Sequence, residues 1–140
     1  MLICVPTTVG TGSETTLAAV IVDSKTRHKY TINDFNLIPD YAVLDPKPTL
    51  SLPPFITACT GMDALSHAIE AYIGNSTTKK TRAYALKVTK LIFENIYKVY
   101  EDGNDLEARS NMFDAAFYAG LAFTVSYVDM CRRLLIHWVN

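Results

Sequence analysis

Asp63 and His67 stand four residues apart in the stretch GMDALSHAIEAY, residues 61–72. If that stretch is helical, the carboxylate and the imidazole share one face about one turn apart. An oxygen and a nitrogen so placed can grip one divalent ion, and this donor mix suits Fe(II), Mn(II) or Zn(II) better than Ca(II). The same spacing describes equally well a helix ion pair or a satisfied buried histidine. Two donors also fall short of the three or four that stable sites take from a protein. A second candidate is TTVGTGSE, residues 7–14. Two glycines and four hydroxyl residues after a strand can bring N–H groups and side-chain oxygens to a phosphate or ribose. They can also be a polar turn between strands, and the pattern matches neither a Walker loop nor GxGxxG. His28 falls in a hairpin turn and reads as a solvated surface residue.

The elements that must hold these residues come in two kinds. MLICVP, LAAVIVD, KYTIND and YAVLDP are short apolar or alternating runs closed by turn residues, as strands are, and SKTRH joins the middle two as a hairpin. From Leu52 the period becomes helical. A first helix covers SLPPFITACTGMDALSHAIEAYI, with Ser51 as N-cap and prolines in its first turn. A second covers TTKKTRAYALKVTKLIFENIYKVYEDG, with Ala83, Leu86, Leu91, Ile92, Ile96 and Val99 striping one face and Gly103 as its stop. A third covers DLEARSNMFDAAFYAGLAF, capped by Asp105, with small residues at 115, 116, 119 and 120 for close packing. The proline-rich passage at 46–54 is the best boundary. A few strands followed by helices make a poor self-contained domain, so the chain reads as a slice across a domain junction.

Composition narrows the class. Of 140 residues, 49% are apolar and 19% charged, with net charge −1, which describes a soluble globular protein with a real core. No Lys/Arg block stands out, so nucleic acid and anionic membranes are disfavoured as partners. Cys4, Cys59 and Cys131 form neither a CxxC pair nor a zinc-finger spacing and read as reduced thiols. No signal peptide or membrane helix is legible, which makes the cytoplasm the expected location.

PTTVGTGSE (6–14), LDPKPT (44–49), TGMDALSHAIEAY (60–72) and ARSNM with AGLAF (108–123) occur in the order seen in iron-containing alcohol dehydrogenases. The chain resembles that family from residue 3 to about residue 128. The resemblance implies an α/β dinucleotide-binding domain joined to an all-helical metal-binding domain, the dehydroquinate-synthase-like fold, here incomplete. Residues 1–50 would be the end of the first domain and 51–140 the start of the second. It implies that Asp63 and His67 are two metal ligands and that Thr7, Thr8, Thr11 and Ser13 line the cofactor cleft. The cofactors would be Fe2+, with Zn2+ as the alternative, and NAD or NADP. The reaction would be hydride transfer between an alcohol and its aldehyde or ketone, with homo-oligomerisation left open. No residue is assigned a catalytic role beyond these. A glycerol-dehydrogenase or dehydroquinate-synthase-like activity is the enzymatic alternative. A non-catalytic helical remnant that binds a partner protein is the alternative from another class.

The chain also departs from that pattern. It starts after the family's GGGS segment, which removes most of the dinucleotide domain. At the other end the family continues as G-Y-V-H-A-x-A-H-x-L-G, whereas this chain reads DMCRRLLIHWVN. Arg132 and Ile136 stand where two histidines are expected, and His137 is one position out of phase. A reading-frame change after Val128 accounts for this. Suitable synonymous codons, read from the third base of the Val128 codon, restore the family text except for its first histidine. The single codons of Met130 and Trp138 both fit. A guanidinium cannot ligate a metal, so the expected site is incomplete and the chain is expected to be inactive alone.

Overall fold

The computed structural model describes residues 1–126. Strand β1 (Ile3–Cys4) pairs in parallel with β4 (Tyr41–Ala42), Ile3 opposite Tyr41 and Cys4 opposite Ala42. Between them, β2 (Ala18–Val22) and β3 (Lys29–Asn33) form an antiparallel hairpin from Ala18 opposite Asn33 to Val22 opposite Lys29. Its turn is tied by Asp23, whose carboxylate accepts from the Lys25 N–H and the Thr26 hydroxyl, both at 2.8 Å. His28 is exposed there, its ring edge-on to Tyr30. Three long helices follow, α1 (Pro54–Ile73), α2 (Lys79–Glu101) and α3 (Leu106–Ser126). Strands followed by helices is the order the sequence predicts.

The helices form an up-down-up bundle. Thr57, Gly61 and His67 of α1 meet Arg109, Met112 and Phe123 of α3 in the same order, so these two run parallel. Tyr84 and Asn95 of α2 meet Tyr118 and Asn111 of α3 in reverse order, so α2 is antiparallel to it. Gly61 lets all three close up, because a Cβ there would lie 2.8 Å from Met112 Cε and 3.0 Å from Ile96 Cδ1. Ala115, Ala116, Ala119 and Gly120 are buried along α3, as their small size predicts for close packing. Asp105 caps α3 as expected, accepting from the Ala108 N–H at 2.9 Å.

Three local expectations are corrected. Helix α1 starts at Pro54 with no side-chain cap, so Ser51 is not its N-cap. The Pro53–Pro54 pair is the reason: a residue before proline is steered out of the helical region, and Pro53 is extended at ψ 147°. On α2 the buried stripe is Thr81, Ala85, Val88, Ile92, Asn95 and Val99, spaced alternately four and three apart. Ala83 and Leu86, assigned to that stripe from sequence, face solvent, and Leu86 is 60% exposed. The two polar members are internally satisfied. Thr81 closes a capping box with Thr78, and Asn95 donates to Leu91 O at 2.7 Å and accepts from Asn111 at 3.2 Å. Gly103 is no left-handed stop for α2, since Gly12 is the one glycine with positive φ among the described residues. Helix α2 ends through an extended Asp102 instead.

Among the described residues no helix is long and apolar enough to cross a membrane. Cys4 and Cys59 are free thiols. Cys131, Arg132, Ile136 and His137 lie outside the described residues.

Candidate metal centre and cofactor loop

Helix α1 delivers Asp63 and His67 as their spacing requires. His67 Nε2 lies 3.7 Å from Asp63 Oδ1, and their side chains are 15% and 43% exposed. One ion bound at about 2.0–2.2 Å from each donor reaches both atoms when they are less than about 4.2 Å apart. The pair therefore fits a single divalent ion, with Asp63 open to solvent and His67 set back. The imidazole is backed by Phe123 of α3, the ring centroids 4.8 Å apart and tilted by 46°. Among the described residues no group of three or more His, Cys, Asp or Glu side chains converges.

The glycine loop is built by alternation. Thr7, Thr8, Thr11 and Ser13 are exposed, while Val9, Gly10, Gly12 and Glu14 are buried. Val9 belongs to the helical core, packed with residues of all three helices. The glycines allow backbone to touch backbone. A Cβ on Gly10 would lie 2.7 Å from Thr60 O of α1, one turn before Asp63. Gly12 has φ +59°, and a Cβ there would lie 2.8 Å from both Ala116 O and Gly120 Cα of α3. The loop then enters a 3₁₀ turn, Ser13–Thr15, held by two hydroxyls. Thr15 Oγ1 donates to Gly12 O at 2.8 Å, and Thr124 Oγ1 donates to Thr15 O at 3.1 Å. The four hydroxyl residues thus share the outward side of a loop seated on α1 and α3.

Sequence reasoning assigned no role to Phe123, Thr124 or Glu14, although the motifs that contain or adjoin them were in view. Aromatic and hydroxyl residues following AGLA carry no spacing signal until the helix is seen against α1 and the loop. Glu14 is 5% exposed. Burial pushes its carboxyl pKa up from the ordinary value, and the hydrogen bond from its own backbone N–H pulls back less strongly.

Comparison with known proteins identifies a family. Residues 57–136 match the family model "Fe-containing alcohol dehydrogenase family, C-terminal", and residues 1–46 match "Iron-containing alcohol dehydrogenase". The chain is 47% identical over 129 residues to aldehyde-alcohol dehydrogenase 2 of Entamoeba histolytica, covering 92% of this chain and 15% of that protein. It is 42% identical over 132 residues to an NADPH-dependent butanol dehydrogenase of Clostridium saccharobutylicum, covering 94% of this chain and 34% of the relative. Among solved structures it superposes on sulfoacetaldehyde reductase from Bifidobacterium kashiwanohense in complex with NAD+. The TM-score there is 0.86 at 40% identity, covering 89% of this chain and 33% of that one. The chain therefore spans about a third or less of these relatives. The strands leading into three helices match one part of that solved fold: the chain belongs to the iron-containing alcohol dehydrogenase family.

Proposed function

We propose that this chain carries the domain junction of an NAD(P)- and iron-dependent alcohol dehydrogenase that interconverts small alcohols with aldehydes or ketones. Residues 1–50 belong in this reading to the dinucleotide-binding domain and 51–140 to the helical metal-binding domain. The observation that carries it is the meeting of two elements on one turn of α3. Phe123 touches His67, and its neighbour Thr124 bonds the loop at Thr15. Metal pair and glycine loop are thus held by adjacent residues.

Asp63 and His67 hold the ion, and Phe123 fixes the plane of the imidazole that offers it Nε2. Thr7, Thr8, Thr11 and Ser13 present hydroxyls to the cofactor's phosphates and ribose from a backbone that the buried Val9 anchors. When bound, the metal supplies a Lewis acid that lowers the pKa of the alcohol, and the nicotinamide supplies the hydride acceptor. The chain's own contribution is alignment of the two. Fe2+ is the expected ion, with Zn2+ compatible with the same donors. Relatives that use NADPH and that are solved with NAD+ support a nicotinamide cofactor of either kind.

By itself the chain holds metal weakly, because the described residues offer two converging donors rather than three or four. The decisive measurement is metal content after reconstitution with Fe2+ or Zn2+ and desalting, for the parent and for His67→Ala. Substoichiometric metal in the parent, lost in the variant and without NAD(P)H formation from short alcohols, is the expected result. Equal metal in both proteins overturns the assignment of the pair. Stoichiometric metal with turnover overturns the inactivity of the isolated chain.

A further inference from the structure

We infer that Thr124 and Gly120 of α3 are positioning residues: they fix how residues 7–13 sit on the helical bundle and thereby where a cofactor meets the Asp63–His67 pair. This rests on the reading of that loop as the cofactor's. Among the described residues β1 is two residues long and pairs with the two residues of β4, ahead of the loop. Helices hold the loop itself. Thr124 Oγ1 donates to Thr15 O, and Thr15 Oγ1 donates to Gly12 O, a relay that runs from α3 into the middle of the loop. Gly12 lies directly over Gly120, and a Cβ on Gly120 would lie 2.7 Å from Gly12 O and overlap Thr15 Oγ1. On the next residue along from Thr124, Phe123 bears on His67. A shift of the loop along α3 therefore changes its offset from the metal pair directly.

The test is amide hydrogen exchange on the full 140-residue chain, with Thr124→Val, Thr124→Ser and Gly120→Ala. Valine keeps the shape of threonine and loses the donor, while serine keeps the donor. Exchange in peptides covering residues 7–17 is expected to speed up about three- to tenfold in Thr124→Val, the weight of one hydrogen bond, and to return in Thr124→Ser. Gly120→Ala should open the same peptides, while the α2 core is unchanged in all three. A merely structural role would accelerate α2 equally, and that result, or no change in the loop, overturns the inference. NADH added alone at millimolar concentration, because in this reading residues 1–50 carry a part of the dinucleotide domain, is expected to slow exchange at residues 7–13 in the parent and less so in Thr124→Val. If Thr124→Val loosens the loop but NADH slows none of its amides, the cofactor reading fails and the anchoring by α3 stands.

Discussion

Arg109, in the first turn of α3, reaches Thr57, in the first turn of α1, with 3.4 Å between Nη1 and Oγ1. Its Nε donates to Gly103 O in the α2–α3 connection, so one side chain joins all three helices at that end of the bundle. Gly103 makes room for it, since a Cβ there would lie 2.9 Å from Nη2. The residue is 1% exposed, yet no carboxylate pairs with it among the described residues, and burial lowers its pKa. Two opposed effects meet here. The bonds from a charged donor are each worth about 1.5–3 kcal/mol, whereas desolvating an unpaired guanidinium costs several kcal/mol.

The balance is separable by two substitutions. Arg109→Ala leaves a cavity and an orphaned Gly103 carbonyl and should destabilise by about 3 kcal/mol. Arg109→Met keeps most of the volume and removes the buried charge, and should cost less than about 1 kcal/mol. Urea denaturation of the two variants checks this, and equal losses would show that the charged hydrogen bonds outweigh the burial cost.

Glu14 gives a pH dependence of definite sign. Its carboxyl pKa is raised above 4.5 in the folded chain, so the folded state holds the proton more tightly than the unfolded state does. Stability should fall as pH rises from about 4.5 through that raised value and stay lower above it. Glu14→Gln should remove this decline and be the more stable protein at pH 7. Urea midpoints from pH 4 to 8 check it, and parallel curves for parent and variant would refute it. Asp23 acts in the opposite sense: hydrogen bonds from Lys25 and Thr26 lower its pKa below 3.8, so what it contributes is lost as pH falls through the folded value.

Helix α2 has a second apolar stripe, Leu86, Phe93, Tyr97 and Tyr100, about 130° around the helix from the buried one. Phe93 is 71% exposed. Such a stripe on a free surface should bind hydrophobic dyes and drive association. Phe93→Glu should lower dye fluorescence and raise the soluble fraction with a stability change within about 0.5 kcal/mol, because the ring is largely exposed. A large loss of stability would mean that the stripe is covered in solution.

Phe113 tests the core itself. It is fully buried between helices, and Phe113→Ala should cost about 3–5 kcal/mol. For a chain of this size that is a large share of total stability. Loss of the cooperative unfolding transition is the expected readout.

What the sequence disclosed, and what it hid, follows from the range of each interaction. The hairpin, the three helices and the Asp105 cap depend on neighbours within a few residues, and all were legible. The Asp63–His67 pair was legible as geometry for the same reason. The face of α2 was read in part: Ile92 and Val99 are buried and Leu91 and Ile96 pack against the core as expected, but Thr81 and Asn95 are polar yet buried, each satisfied by a partner that hydropathy cannot reveal. Leu86 was credited to the core because apolar side chains are not all inside. Seating the loop on α3 depends on Gly12 meeting Gly120 and Thr15 meeting Thr124, pairings that join residues 109 apart in the second case. No local pattern encodes that distance.

Residues 9–15 are neighbours of strands along the chain and of helices in space. Recombining halves of two family members at the proline-rich passage near residues 46–54 would marry one parent's loop to the other parent's α3. Any mismatch in side-chain size at positions 12, 15, 120 or 124 would then fall on the seam. A crossover placed before Val9 keeps loop and helix co-inherited and, among the described residues, leaves the β1–β4 pairing and the contacts of Met1 and Leu2 with Asp40 to be formed between parents.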